Sequence, residues 1–77
     1  MKCVFVQIRC EPGRTYDVAD EIYKLEIASE LYSTSGDFDL LVKLYIEEDD
    51  IGKYINKNLL CIPGIARSLT TLTFRAF

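Results

Sequence analysis

The chain contains no histidine and no tryptophan, and it has only two prolines, four glycines and three cysteines in 77 residues. Without histidine, the usual zinc ligand sets and the usual general base of nucleophilic catalysis are missing. Cys3, Cys10 and Cys61 are odd in number and widely spaced, so they suggest neither a disulfide framework nor a metal knuckle. Gly13, Gly36, Gly52 and Gly64 are isolated, and none belongs to a glycine-rich phosphate cradle. No catalytic residue, metal site or cofactor is therefore expected, and the chain reads as a non-enzyme. Asp37 and Asp39, bracketing Phe38, could form a carboxylate pair, but they suit a turn or a ligand contact better than a reaction.

A concentrated basic face is also missing. Nine Lys and Arg against twelve Asp and Glu leave a net charge of −3, and the basic residues are scattered. Neutralising phosphates needs clustered positive charge, so direct DNA binding is not expected. No apolar stretch is long enough to span a bilayer, and Met1-Lys2 leads into Val4-Phe5-Val6 without a leader pattern. A cytoplasmic protein without membrane contact is expected.

The residues that are present specify one domain over 1–77. Hydrophobic residues make up 49% of the chain, enough for a core but only a small one, and short chains commonly gain stability by self-association. From Cys3 to Cys10, Val4, Val6, Ile8 and Cys10 alternate with Phe5, Gln7 and Arg9, the period of a strand. Glu11-Pro12-Gly13 breaks it, and Thr15 is placed to cap a helix carrying Val18, Ile22 and Leu25 at helical spacing. Ala28 to Ser35 predicts a weaker, edge strand, followed by a tight turn at Gly36-Asp37. Phe38 to Ile46 is the strongest strand, with Phe38, Leu40, Val42, Leu44 and Ile46 on one face and Leu41 and Tyr45 on the other.

The acidic run Glu47-Glu48-Asp49-Asp50 supplies a cap at Asp49 or Asp50 for a second helix through Ile51, Tyr54, Ile55, Asn58 and Leu59, which Pro63-Gly64 stops. Ile65 to Phe77 predicts the last strand. The order β-α-β-β-α-β with right-handed crossovers gives an α+β ferredoxin-like sandwich, its first and third strands central. Both helices then cover one sheet face, leaving Phe5, Leu41, Tyr45, Leu69, Thr71 and Phe77 on the other. That apolar surface predicts a two-fold homodimer closed sheet against sheet, a dimeric α+β barrel.

The segment Ser35-Gly36-Asp37-Phe38-Asp39-Leu40-Leu41-Val42-Lys43, with Ile62-Pro63-Gly64-Ile65-Ala66-Arg67-Ser68-Leu69-Thr70 after it, resembles the effector-binding RAM domain of the Lrp/AsnC feast/famine regulators. The likeness extends over the whole chain and includes the Glu11-Pro12-Gly13 turn. It implies dimers assembled into rings, an amino-acid effector held between dimers, and ligand contacts from Gly36, Asp37, Phe38 and Asp39 in the turn and Thr70 and Thr71 in the last strand. A carboxylate there would meet the ammonium group of a zwitterion and hydroxyls its acid. Full-length members carry a helix-turn-helix, and nothing of that kind precedes Met1, so the resemblance points to a stand-alone module that modulates full-length relatives. The connection from Lys24 to Ala28 is short for the family. A small dimeric α+β-barrel enzyme and an ACT-like sensor share the element order and remain alternatives.

Overall fold

A computed structural model describes all 77 residues. The elements are β1 (Lys2–Cys10), α1 (Thr15–Leu25), β2 (Glu30–Ser33), β3 (Leu40–Ile46), α2 (Ile51–Asn58) and β4 (Ile65–Leu72). They form one antiparallel sheet of order β2-β3-β1-β4. The first and third strands are central, as their two-sided apolar pattern requires. Each helix links two parallel strands with a third inserted between them, which is the split βαβ arrangement of the ferredoxin-like fold.

Alternation decides the core. Val4, Val6, Ile8 and Cys10 of β1 and Leu40, Val42, Leu44 and Ile46 of β3 are all buried, and Val18 and Ile22 of α1 with Ile55, Leu59 and Ile62 complete the cluster. No polar side chain is buried with them. Asp50 caps α2 by accepting from the Lys53 amide at 3.0 Å, a contact worth about 1 kcal/mol.

Several boundaries differ from the sequence expectation, among them the start of β3, which lies at Leu40 and not Phe38 because the Thr34–Asp39 loop takes up the two preceding residues. Thr15 is the first helical residue of α1, not its cap; Arg14 takes the cap position without a side-chain bond. The Arg14 amide donates to the Glu11 carbonyl at 3.0 Å, so the turn itself winds the chain into the helix one residue early. β2 is confined to Glu30–Ser33. α2 ends at Asn58, well before Pro63, because the Leu59 and Leu60 amides both donate to the Ile55 carbonyl, at 2.9 Å each, and the turn widens. β4 ends at Leu72, so Phe74 and Phe77 stand fully exposed beyond the sheet and Phe77 is not part of the open face. Thr73 still ties the tail's root, its hydroxyl donating to the Cys3 carbonyl at 2.6 Å.

On the open face, Phe5 and Leu41 are half-buried while Tyr32, Tyr45 and Leu69 are exposed. One ion pair crosses it. Lys43 Nζ donates to Glu30 Oε2 at 3.0 Å, and the Tyr32 hydroxyl donates to the other oxygen of the same carboxylate. The tyrosine hydroxyl first, and the lysine second, hold the Glu30 carboxyl below the usual carboxylate range. With the folded value depressed, this contribution to stability is complete above the ordinary glutamate pKa and disappears as pH falls through the lowered value.

Candidate functional site

The segment between β2 and β3 is wider than a two-residue hairpin. Its closing pair is Thr34 and Asp39, joined by Thr34 N–H donating to the Asp39 carbonyl at 2.9 Å, and the Thr34 hydroxyl donates to the Phe38 carbonyl at 3.0 Å. Gly36, at φ 96°, lets the chain reverse inside that frame. Gly36 and Asp37 are exposed, whereas Phe38 and Asp39 are half-buried.

Asp39 locks the loop to the end of the central strand. Its amide donates to the Ile8 carbonyl at 2.8 Å, and its Oδ2 accepts from the Cys10 amide at 2.8 Å. The ladder between β1 and β3 ends at Ile8 and Leu40, so the carboxylate supplies one further rung where main-chain pairing stops. Asp39 is thus a structural residue whatever else it contacts, and one of its oxygens is committed to the sheet. Cys10 sits beside it with its thiol buried. Burial pushes that thiol's pKa up, the Thr15 hydroxyl opposes the rise in part, and the neighbouring Asp39 charge adds the smallest contribution to it.

Two arginines come up under the loop. Arg9 Nη1 donates to the Asp37 carbonyl at 2.7 Å, and the Arg67 guanidinium lies 5.2 Å from the centre of the Phe38 ring. Arg9 and Arg67 are direct cross-strand partners on β1 and β4. Neither stands out in the sequence. Parity alone assigns both to the open face, but their adjacency depends on the register of two strands far apart in the chain.

Thr70 and Thr71 lie elsewhere. Successive strand residues face opposite ways, so Thr70 lines a concavity of about 330 Å³ beside α2, with Ile51, Gly52, Ile55 and Leu60, while Thr71 stands on the open face opposite Phe5. Thr71 lies four positions beyond Arg67, which is about 13 Å along a strand. Within one subunit, then, the loop and the two threonines do not meet. None of the five principal concavities of the chain is lined by residues 34–39. No group of three or more Cys, Asp or Glu side chains is arranged to hold a metal ion, and no helix is long and apolar enough to cross a membrane.

Comparison with known proteins agrees with this architecture. The sequence is similar, at 26% identity over 72 residues, to the HTH-type transcriptional regulator FL11 of Pyrococcus abyssi, covering 92% of this chain but only 47% of that one, so the chain spans about half the length of that relative. The fold is similar to that of TTHA0845 from Thermus thermophilus, with a TM-score of 0.90 and 28% identity over 100% of this chain and 98% of the other. It is also similar to E. coli AsnC, with a TM-score of 0.88 at 16% identity, over 97% of this chain and 52% of AsnC. Residues 3–77 match the family model of the Lrp/AsnC ligand binding domain, and the chain, ferredoxin-like in fold and matched over nearly its whole length, belongs to that family.

Proposed function

We propose that this chain is an effector-sensing regulatory module that binds an amino acid at a boundary between identical subunits and performs no chemistry on it. The observation that carries this reading is the loop of residues 34–39. It is pinned to β1 by Asp39, presents Gly36 and Asp37 to solvent, and lines none of the five principal concavities of the chain. A ligand held there needs a second surface, and another copy of the chain provides one without any new partner.

In this assembly the open sheet faces close on each other to form the dimer, and dimers associate into a ring that brings the loop of one subunit near Thr70 or Thr71 of a neighbour. Asp37, and the free oxygen of Asp39, face the ammonium group, and exposed loop amides or a threonine hydroxyl reach the acid. The module works in the cytoplasm, co-assembles with full-length relatives and alters their assembly, with no DNA contact of its own.

A thermal-shift screen of the twenty amino acids tests it. A ligand that binds only the folded state at about 100 times its Kd adds roughly 2.7 kcal/mol, on the order of 10 °C for a domain of this size. At least one amino acid should produce such a rise, with calorimetry giving one site per subunit or per subunit pair. A folded, oligomeric protein whose melting temperature none of the twenty changes would refute the amino-acid reading.

A further inference from the structure

Arg9 and Arg67 occupy directly opposed positions on neighbouring antiparallel strands, so their side chains leave the same face from Cβ atoms about 5 Å apart. Like charges so placed repel, and neither arginine forms an ion pair within the chain. The four ion pairs of the molecule use Arg14, Lys24 and Lys43 as their cations. The two acids of the loop form no ion pair with them: Asp39 accepts from the Cys10 amide, and Asp37 offers Arg9 its carbonyl, not its carboxylate. Of the five N–H donors on each guanidinium, Arg9 spends one on that carbonyl and Arg67 spends none on any hydrogen bond, one face of its plane resting on Phe38.

Both groups are therefore held in place by contacts that leave their donor edges free. A planar guanidinium fork fits a carboxylate with two parallel hydrogen bonds, and two forks side by side at a strand end fit one acid group better than any neutral ligand. Fixing the groups before the ligand arrives removes much of the ordering cost of binding.

We infer that Arg9 and Arg67 form a carboxylate-recognition site at the end of the sheet, beneath the Asp37–Phe38 loop, and that the acid group of the ligand is bound there. The inference rests on the reading of this loop as the ligand site and adds which end of the ligand goes where. The acid group meets the arginines, the ammonium group meets the carboxylate of Asp37 on the loop above, and the Phe38 ring borders the space between. The threonines of β4 are not needed for the acid group in this arrangement.

The test is a titration of uniformly ¹⁵N-labelled protein with sodium acetate, and separately with acetamide, at constant ionic strength kept with sodium chloride. The side-chain Nε–H resonances of Arg9 and Arg67 should shift saturably with acetate and stay still with acetamide. Arg75 supplies an internal control, since its guanidinium also lies against an aromatic ring, 5.0 Å from Phe77, but has no arginine beside it. Equal movement of all three arginines, or none of Arg9 and Arg67, overturns the inference without requiring any variant to fold. A second arm uses whichever amino acid raises the melting temperature. Its α-amide, and the variants Arg9→Gln and Arg67→Gln, should each weaken binding roughly tenfold or more. Unchanged affinity in both variants overturns the arginine assignment while leaving the amino-acid reading intact. Saturable acetate shifts without binding of any amino acid do the reverse.

Discussion

Replacing Gly64 with alanine should destabilise the fold by about 2–4 kcal/mol, a large share of the roughly 5–15 kcal/mol that holds a domain together. Two independent costs act at this position. Gly64 has φ 99°, a conformation that strains any residue with a Cβ. The added carbon would also stand 3.0 Å from Val18 Cγ2 and 3.2 Å from Arg14 Cβ. Val18 is completely buried against the sheet and Arg14 holds the cap position of α1, so neither can retreat cheaply. The Gly64 carbonyl, which accepts from the Glu11 amide at 2.8 Å, would shift with them and loosen the junction between β1 and β4. Gly36→Ala separates the two costs, because Gly36 has nearly the same φ but open space around it, and it should lose only about 1 kcal/mol. Urea denaturation of both variants decides the matter; equal midpoints would mean that packing at Gly64 contributes nothing.

In the proposed sheet-to-sheet dimer, Tyr45→Glu and Leu69→Glu should each convert the protein to a folded monomer. Tyr32, Tyr45 and Leu69 keep 53%, 47% and 50% of their surface in a single chain, a band of half-covered apolar groups on the face without helices. A glutamate in that band must either lose its hydration or hold the faces apart. Two-fold symmetry introduces the charge twice, and at about 2 kcal/mol for each copy the dissociation constant rises about a thousandfold. Sedimentation equilibrium at micromolar concentration distinguishes the outcomes, with circular dichroism confirming that the sheet is retained. A wild-type protein that is already monomeric, or glutamate variants that remain dimeric, would show that the open face is not the interface.

The core was legible because β1 and β3 alternate without interruption, and Val4, Val6, Ile8, Leu40, Val42 and Leu44 are buried as that period requires. The end of β4 was not. Alternation continues through Thr73 to Phe77, but the pairing of β4 with β1 stops at Leu72 opposite Val4, and a sequence period does not show where a ladder loses its partner. The loop residues Gly36 to Asp39 could be picked out as a group, whereas the bond from Asp39 to the Cys10 amide could not, because it depends on where the ladder between β1 and β3 stops. The same holds for Arg9 and Arg67. Each is an ordinary solvent-facing strand residue until the register sets them side by side.

The burial of Cys10 next to Asp39 turns the loop's anchorage into a rate. A cysteine only 6% exposed, with its thiol pKa raised by burial, reacts with an alkylating reagent mainly in those molecules whose sheet end has momentarily come apart, whereas the exposed Cys61 reacts without any opening. The ratio of the two labelling rates is then an equilibrium constant for that local opening, read in the native protein without denaturant. A molecule bound across the loop must slow the first rate and leave the second unchanged, so the chain carries its own clock for occupancy of this end of the sheet.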